Sequence, residues 1–547
     1  MSQSVGRIIV EALAAEGVSA VFGVPGESYL PVLDAFNDVP GIDFVLSRHE
    51  EGAGFMADAW SRMTGRPGVF MVTRGPGMTH AAIALHAAAQ DSTPLIALMG
   101  QVSLPERGRE GFQEIEAADL GSLLGKGGVE ITDPDRASEQ IARALYLAQS
   151  GRPGPVVVSL PEDVGYLETE RTGVQRTRIP MPAARAEDLE AAADLLTSGG
   201  RVAIIAGAPV GTAQGRAAVG ELAELLGATV HCAWRRFDAF DNTHPHFAGN
   251  LAWLPADLLD PLRSADVLLA VGTRMGDYTS LSYSLPAPGQ RFIQIDRAAA
   301  SMSVVRNPDV PIVADATPAV NELVRLVRER SYPGPSTQRR EEVAQIHAEY
   351  LRLSTPADGE PETPGRVDLR TAMGVLAQVL PEDAVVTSDA GSFAGYLNRY
   401  YRWRGPSTFI GSTSGPMGYG IPTAIGAKIA APHRLVVAVA GDGGFSMTMS
   451  ELQTAARLGL SKVVFIVFDN STLGTIRQHQ SLRFPGRHVG VDLGSADFAG
   501  VAEALGCRGV SCRSIAEFSA ALTEAIDADR PTVLHVYARS DQIAAWA

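Results

Sequence analysis

Short runs of apolar residues alternate along this chain with longer segments in which apolar positions recur every three to four residues. The first pattern predicts buried strands, and the second predicts helices that turn one face to a core. Where strands and helices alternate in this way, the expected fold is a mostly parallel sheet with helices on both faces. The N-terminal third follows the pattern, with candidate strands at 20–23, 44–47, 69–73, 95–99 and 156–160.

The alternation repeats twice more. A proline-bearing connector at 178–188 precedes the second unit, and polar, proline-rich stretches at 331–343 and 354–366 predict a linker before the third. The sequence therefore predicts an α/β fold of three doubly wound parallel-sheet domains, at 1–165, 189–330 and 367–547. The second domain has candidate strands at 202–206, 267–271 and 292–295. The third has a candidate helix at 369–379 and candidate strands at 385–387, 435–440, 463–468 and 533–536.

Composition and charge exclude several classes of protein. Of the 547 residues, 46% are apolar and 20% charged, which excludes a disordered chain. A net charge of −15 without a basic stripe argues against nucleic acid as a partner. No apolar run reaches the ~18 residues that a membrane helix needs. The spacing of the three cysteines does not match that of zinc ligands. The pattern at the N-terminus predicts an amphipathic helix rather than a signal peptide. We therefore expect a cytoplasmic protein with no membrane partner.

Polar residues follow two strands of the third unit where each strand ends. Asp442 comes directly after strand 435–440, and Asn470 follows strand 463–468. Because ligands in open α/β sheets bind at the carboxyl ends of strands, we expect these side chains to lie together. A carboxylate, an amide oxygen and a backbone carbonyl near Thr472 suit Mg²⁺ whose other ligands are phosphate oxygens and water. The neighbouring glycines would let a diphosphate approach the backbone, namely Gly441, Gly443 and Gly444.

A simpler interpretation is that Asp442 only caps a helix and that the glycines only form the turn. For the glycine-flanked aspartate alone, the two interpretations are equally good, and the second strand end at Asn470 favours the ligand site. No GxGxxG motif follows a strand and no GxxxxGK(S/T) motif occurs, which argues against a nicotinamide dehydrogenase and a P-loop nucleotide enzyme.

A second candidate is Glu50, which follows strand 44–47 and begins a predicted helix. The small residues Gly52, Ala53 and Gly54 would let a bulky group pack against the helix. The alternative is a carboxylate that only benefits from the helix dipole, a role that Glu51 could fill equally well.

Together these motifs resemble the thiamine diphosphate enzymes. Their signature is Gly-Asp-Gly followed at a set distance by Asn-Asn, and this chain has GDG at 441–443 and Asp-Asn at 469–470. The segment RHEEGAGFMADAWSRMTGRPGV at 48–69 is similar to the acetolactate synthase-like branch of that family. FGVPGES at 22–28, TRGPGMTH at 73–80, GFQEIE at 111–116 and GPMGYGIPTAIGAK at 415–428 extend the resemblance over most of the chain.

The resemblance implies a role for each matching residue. Asp442, Asn470 and the Thr472 carbonyl would hold Mg²⁺ on the diphosphate. Glu50 would activate the aminopyrimidine of the cofactor, and Met417 would support its bent conformation. Further residues expected at the cofactor are Ser392, Phe393, Gly441, Gly443, Gly444, Leu473 and Gly474. Residues expected to face the substrate are Gly26, Phe112, Gln113, Thr475, Ile476 and His479.

Some positions depart from the pattern of the family. Asp469 stands where the first Asn is expected, Thr475 replaces a Met, and His479 replaces a Trp that shapes the pocket for the second substrate. His479 fits a surface histidine and an acid/base or substrate-binding residue equally well. In the second domain, segments 272–280 and 294–303 match FAD-binding relatives only in part, which favours an empty or purely structural domain over one that holds FAD. The paired histidines of many pyruvate decarboxylases are absent from the first domain.

The resemblance implies a Mg²⁺- and thiamine diphosphate-dependent enzyme that decarboxylates a pyruvate-like 2-oxo acid and joins the product to a second carbonyl. It also implies a homodimer or homotetramer, with Glu50 of one chain meeting Asp442 of another at the interface. Alternatives are a decarboxylase that releases an aldehyde, a catalytically silent protein on the same scaffold, and a dehydrogenase that uses the middle domain. Retention of Glu50, Asp442 and Asn470 argues against the silent protein.

Overall fold

The structure is a computed structural model that describes residues 2–251, 254–356, 363–542 and 545. In its first domain, the Ser4 hydroxyl caps the first turn of the first helix, Val5–Ala15. The strands are β1 Gln3–Ser4, β2 Ala20–Gly23, β3 Asp43–Leu46, β4 Gly68–Thr73, β5 Leu95–Gln101, β6 Gly128–Glu130, β7 Pro155–Pro161 and β8 Glu168–Thr169. The helices are α1 Val5–Ala15, α2 Leu30–Ala35, α3 Glu50–Thr64, α4 Arg74–Asp91, α5 Ala117–Leu124, α6 Ala137–Gln149 and α7 Glu162–Tyr166.

The second domain repeats the alternation of strands and helices. Its strands are β9 Val202–Ala206, β10 Thr229–Cys232, β11 Phe247–Asn250, β12 Val267–Val271, β13 Arg291–Asp296 and β14 Val310–Val313. Its helices are α8 Ala186–Leu196, α9 Ala213–Leu226, α10 Ala256–Arg263, α11 Ala316–Glu329 and α12 Thr337–Leu353.

The third domain carries the strongest strands of the chain. They are β15 Val385–Ser388, β16 Phe409–Gly411, β17 Val436–Gly441, β18 Val463–Asp469, β19 Arg508–Cys512 and β20 Thr532–Tyr537. The helices are α13 Leu369–Val379, α14 Phe393–Tyr400, α15 Gly420–Ala430, α16 Asp442–Thr448, α17 Leu452–Arg457, α18 Gly474–Arg483, α19 Phe498–Ala504 and α20 Ile515–Ala525.

Each domain contains one six-stranded parallel sheet, which confirms the predicted fold class. The strand orders are β3-β2-β4-β5-β7-β6, β11-β10-β9-β12-β13-β14 and β16-β15-β17-β18-β20-β19. In each sheet the chain adds strands first on one side and then on the other, and the change falls between β2 and β4, between β9 and β12, and between β15 and β17. In open sheets, ligands bind in the crevice at such a switch point. A separate two-stranded antiparallel sheet pairs β1 with β8.

Part of the predicted linker is helical. Helix α12 begins at Thr337, inside the stretch at 331–343 that we expected to be irregular, because Ser336 caps its first turn and Val343 and Tyr350 are buried. The sequence pattern did not predict this helix, because the proline and glycine residues just before its start are typical of a loop. Of the second linker stretch at 354–366, residues 357–362 lie outside the described part of the chain.

One hydrophobic core spans the first domain and one face of the third-domain sheet. The other face of that sheet has a separate core, which includes Trp234 and Phe237, and most of the second domain packs around a third. Helix α3 crosses α15 closely at Gly426, where a Cβ atom would lie 2.1 Å from the Met56 carbonyl oxygen. This close crossing fixes the start of α3, and therefore Glu50, against the third domain. Among the described residues, no helix is both long and apolar enough to cross a membrane.

Candidate active site

The two strand ends singled out in the sequence lie side by side. Strands β17 and β18 are paired in register, with Gly441 opposite Phe468. Asp442 follows the first strand, and one carboxylate oxygen, Oδ1, accepts a hydrogen bond from the Gly443 amide at 3.0 Å. The other oxygen, Oδ2, is buried and has no hydrogen-bond partner among the described residues. A buried acceptor without a donor is a suitable ligand for a cation.

Burial, together with the neighbouring Asp469 carboxylate, raises the pKa of Asp442 to about 7. Next to it, the Asn470 side chain accepts a hydrogen bond from the Thr472 amide at 3.2 Å. That bond turns the chain so that Asn470 and Thr472 line the same cavity as Asp442. An oxygen-rich corner of this kind fits Mg²⁺.

A cavity of about 710 Å³ opens at these strand ends. Its glycine-rich floor is required by close packing, because a Cβ atom on Gly444 would lie 2.0 Å from Asp389 Oδ2. The cavity brings together the residues predicted at the diphosphate and three of those predicted at the substrate. They are Ser392, Phe393, Met417, Gly441, Asp442, Gly443, Gly444, Asn470, Thr472, Leu473, Gly474, Thr475, Ile476 and His479.

Residues that the sequence analysis missed complete the wall. Trp234 and Tyr278 come from the second domain and stack at 4.3 Å between ring centroids. Arg235 is buried with a positive φ of 50° and donates to the carbonyl oxygens of Ser388 at 3.3 Å and Asp389 at 3.1 Å. The cluster of aromatic and arginine residues at 234–237 was the signal in the sequence, although nothing there showed that it reaches the third domain.

Asp389 lies beneath the glycine loop. Its carboxylate accepts hydrogen bonds from the amides of Ala390 at 2.7 Å and Gly418 at 3.1 Å. Burial nevertheless raises the pKa of Asp389 to about 7. Asp389 thus joins the turn after β15 to the turn before α15 and shapes the cavity floor.

Glu50 begins α3, and its side chain is 14% exposed. Its Oε2 atom lies 3.0 Å from Nδ1 of His80, a residue of α4 that the sequence analysis did not assign. The ring of His80 stacks on His49 with centroids 4.6 Å apart. The fold thus brings His80, 30 positions away in the sequence, to Glu50 and to the adjacent His49.

Glu51 has a different environment from Glu50. Its carboxylate faces the third domain near Gly418, where a Cβ atom would come within 3.3 Å of Glu51 Oε1. Burial raises the pKa of Glu51, and burial, together with His80, lowers the pKa of His49. The two adjacent glutamates, equivalent as helix-dipole partners, are therefore distinguished by their contacts.

The remaining residues predicted at the substrate belong to the first domain. Gly26 packs against Thr73, where a Cβ atom would lie 2.4 Å from the Thr73 Cβ. The Gln113 carbonyl oxygen accepts a hydrogen bond from the Gly75 amide at 2.8 Å, and Gln113 has a positive φ of 64°. Phe112 is 71% exposed. Glu50, Gly26 and the 112–113 loop therefore gather around the start of α4, apart from the residues that line the cavity.

A second cavity, of about 770 Å³, opens at the ends of β9, β12 and β13, between the second domain and the first, whose Gln90, Asp91, Ser92 and Arg152 also line it. Both segments that partly match FAD-binding relatives contribute to it, through residues between Gly272 and Thr279 and through Asp296, Arg297 and Ser301. Burial raises the pKa of Asp296. Trp234, Tyr278 and Thr413 line both this cavity and the one in the third domain, so they form the wall between the two.

Comparisons with known proteins agree with this architecture. Three family models match, described as the N-terminal TPP binding domain, the central domain and the C-terminal TPP binding domain of thiamine pyrophosphate enzymes, over residues 3–120, 189–323 and 389–536. The chain is 32% identical over 533 residues to the acetolactate synthase isozyme 3 large subunit of Escherichia coli (strain K12), covering 95% of this chain and 92% of that protein.

Two further relatives support the assignment. An acetolactate synthase of Mycobacterium bovis (strain ATCC BAA-935 / AF2122/97) is 33% identical over 527 residues, covering 92% of this chain and 83% of that protein. The solved structure of the thiamine diphosphate-dependent 4-hydroxybenzoylformate decarboxylase of Rhodococcus jostii RHA1 superimposes with a TM-score of 0.85 at 26% identity, covering 99% of this chain and 100% of that one. The chain therefore belongs to the thiamine pyrophosphate enzyme family.

Proposed function

We propose that this protein decarboxylates a pyruvate-like 2-oxo acid and joins the product to a second carbonyl, using thiamine diphosphate and Mg²⁺. The observation that carries the proposal is the unpartnered Asp442 oxygen beside Asn470 and Thr472 in a glycine-floored cavity. The acetolactate synthase relatives, similar over most of the chain, support the carboligation.

Asp442, Asn470 and the Thr472 carbonyl would hold the cation, and the cation would hold the diphosphate. Ser392 and the glycines at 441, 443 and 444 would contact the phosphates, while Met417 and Leu473 would support the ring beside them. When bound, the cofactor supplies a nucleophilic carbon for the substrate carbonyl and an electron sink for the departure of CO₂. The protein therefore has to position the reactants, exclude water and move protons.

Glu50 would move the proton. Its mostly buried carboxylate is suited to exchange a proton with the aminopyrimidine ring, and His80 holds one of its oxygens. Since Glu50 does not line the Asp442 cavity of its own chain, we infer a homo-oligomer in which the Glu50 face of one chain covers the Asp442 cavity of another. An exposed Phe112 on the Glu50 face fits such a covering role.

Thr475, Ile476 and His479 would face the second substrate. All three lie on α18 at the cavity edge and are exposed in the single chain. A second candidate function, decarboxylation that ends in a free aldehyde, is favoured by the decarboxylase whose structure superimposes on this chain. The identity of the product separates the two functions.

We propose further that the second domain holds no flavin. The proposal is supported by the only partial match of segments 272–280 and 294–303 to FAD-binding relatives, and the stacked Trp234 and Tyr278 separate the cavity at these segments from the one in the third domain. The visible absorbance of the purified protein tests this, and a flavin spectrum that survives gel filtration would contradict it.

The proposed activity is tested by CO₂ release from a panel of 2-oxo acids, with thiamine diphosphate and Mg²⁺ each present or withheld. We expect release that requires both, that includes pyruvate among the substrates and that is lost in Asp442→Ala. Release that does not depend on the cofactor would contradict the proposal.

A further inference from the structure

Glu451 is a fully buried glutamate of the third domain that contacts the first domain of the same chain. It directly precedes helix α17, and its Oε1 atom accepts hydrogen bonds from the main-chain amides of Arg48 and His49, each at 3.0 Å. These are the two residues that come before Glu50 in the sequence. A side chain from another domain therefore holds the backbone at the point where α3 begins.

The contact is closely packed on both sides. The other carboxylate oxygen, Oε2, accepts a hydrogen bond from the Thr454 hydroxyl at 2.7 Å, so three donors offset the cost of burying Glu451. On the first-domain side, a Cβ atom on Gly52 would lie 2.3 Å from Glu451 Oε1. The glycine in the first turn of α3 thus leaves room for this carboxylate.

His49 lies between Glu451 and Glu50. Its amide donates to Glu451, and its carbonyl oxygen accepts a hydrogen bond from the Ala53 amide at 3.0 Å. Its ring nitrogen Nδ1 accepts one from the Glu51 amide at 3.2 Å. The direction in which the Glu50 side chain leaves the backbone is therefore set by the bonds to Glu451 and by this helix cap.

We propose that Glu451 is a positioning residue for proton transfer by Glu50, acting through the two main-chain amides that precede it. The inference rests on the proposed function, because that function assigns the proton transfer to Glu50. Without Glu451, the two amides lose their acceptor and the start of α3 shifts to other partners. A misplacement of about 1 Å can lower a rate by about a hundredfold, so kcat should fall while the cation corner at Asp442 stays intact.

Glu451→Met tests the proposal, because it keeps the length of the side chain and removes both oxygens. In the full-length apoprotein, the amides of Arg48 and His49 should exchange hydrogen about tenfold faster in this variant, measured by mass spectrometry of the peptide at 44–52. With thiamine diphosphate, Mg²⁺ and pyruvate, kcat should fall by about tenfold to a hundredfold. Glu451→Gln keeps an oxygen acceptor and should stay within about threefold of the parent in both measurements. Unchanged exchange of the two amides in Glu451→Met would overturn the proposal.

Asp238 offers a matched control, since it forms the same kind of contact between the second and third domains. Its Oδ2 atom accepts hydrogen bonds from the amides of Thr408 and Phe409 at 2.9 Å and 3.2 Å. Asp238→Leu should lower the melting temperature, as Glu451→Met should, but leave kcat and the exchange in the peptide at 44–52 within about threefold of the parent. An equal fall in kcat in both variants would overturn the proposal, because general loosening of the domains would then explain it.

The dependence on Glu50 separates positioning from a merely structural role. In a Glu50→Gln background, Glu451→Met should have little further effect on kcat, because the residue that it positions no longer transfers a proton. Equal effects in both backgrounds would overturn the proposal. If Glu451→Met fails to fold, Gly52→Ala, whose Cβ atom would displace the same carboxylate, replaces it in both backgrounds.

Two further results distinguish a failure of this inference from a failure of the proposed function. If Glu50→Gln keeps full activity, the proton-transfer role of Glu50 is wrong and the inference falls with it. If Glu50→Gln is inactive while Glu451→Met keeps the kcat of the parent, only the role of Glu451 is wrong. Calorimetric titration with thiamine diphosphate at fixed Mg²⁺ should give an affinity within about threefold of the parent for Glu451→Met. Loss of that affinity would overturn the proposal, because Glu451 would then act on the cation corner.

Discussion

His80 Nδ1 lies 3.0 Å from Oε2 of Glu50, joining helix α4 to the first residue of helix α3. The contact holds the Glu50 carboxylate in place on the first-domain face, while its other oxygen, Oε1, lies beside Gly77. A glutamate held in this way can present one oxygen to a cofactor ring in a single orientation.

We expect Glu50→Gln to retain thiamine diphosphate but to lose at least about a hundredfold in turnover, because an amide cannot exchange the proton. Glu51→Gln is the matched control, since Glu51 faces Gly418 instead, and it should keep most activity. Steady-state rates and cofactor titration measure both. Full activity in Glu50→Gln would show that Glu50 is not the proton-transfer residue.

The contact between His80 and Glu50 can be tested separately. His80→Leu removes the hydrogen bond and should lower kcat by about tenfold, since such a bond to a carboxylate is worth about 1.5–3 kcal/mol. His80→Asn keeps an N–H donor and should retain more activity than His80→Leu. In a Glu50→Gln background, His80→Leu should have little further effect on kcat. Equal effects in both backgrounds would argue that His80 acts independently of Glu50.

Asp442→Ala removes the buried oxygen assigned to the cation and should abolish Mg²⁺-dependent binding of thiamine diphosphate. The exposed Asp541, which pairs with Arg539 at 2.7 Å, offers a control in which the same substitution should not affect binding. Titration calorimetry measures both variants. Binding by Asp442→Ala that is unchanged at every Mg²⁺ concentration would place the cation elsewhere.

His479 lies on α18 at the edge of the cavity and is exposed in the single chain. We expect His479→Trp to narrow the acceptor pocket and to change the preference between pyruvate and 2-oxobutyrate as second substrate. Competition between the two acids, followed by product ratios, measures the effect. An unchanged ratio would make His479 a surface residue, which was the other interpretation of the sequence.

Because His231 of the second domain is buried, we expect the stability of the protein to depend on pH. Burial lowers the pKa of His231 on β10 to about 4 from its ordinary value of 6.5. Below pH 6.5 the unfolded chain takes up a proton that the folded protein excludes, so this contribution to stability is lost as pH falls from 6.5 to 4. The full loss is about 3 kcal/mol.

His231→Gln should therefore lose less thermal stability than the parent protein between pH 7.5 and pH 5. The exposed His433 supplies a control substitution that should leave this difference unchanged. Melting temperatures at the two pH values measure the effect. Parallel decreases in parent and His231→Gln would mean that His231 is not the group that titrates.

Strands with long apolar runs were predictable from the sequence, and most of those missed lie at sheet edges. β18 appeared as a buried run and lies inside its sheet, whereas β6, β11 and β16 are short strands at sheet edges. An edge strand pairs on one side only and needs fewer apolar residues, so its sequence gives a weak signal.

The proximity of Asp442 to Asn470 and Thr472 was predictable because these residues follow two adjacent strands. The contacts of His80 with Glu50 and of His535 with Asp469 were not, because they depend on how distant segments pack. His535 lies 66 positions from Asp469 and meets it only through the pairing of β20 with β18. Pairing of this kind is decided by the assembled sheet, not by local periodicity.

Carboligation can be observed by NMR of ¹³C-labelled pyruvate incubated with the purified protein, thiamine diphosphate and Mg²⁺. We predict that acetolactate and CO₂ appear together and that neither forms with Glu50→Gln. Acetaldehyde without acetolactate would contradict carboligation and make the protein a simple decarboxylase. Unchanged pyruvate would contradict the proposed substrate class.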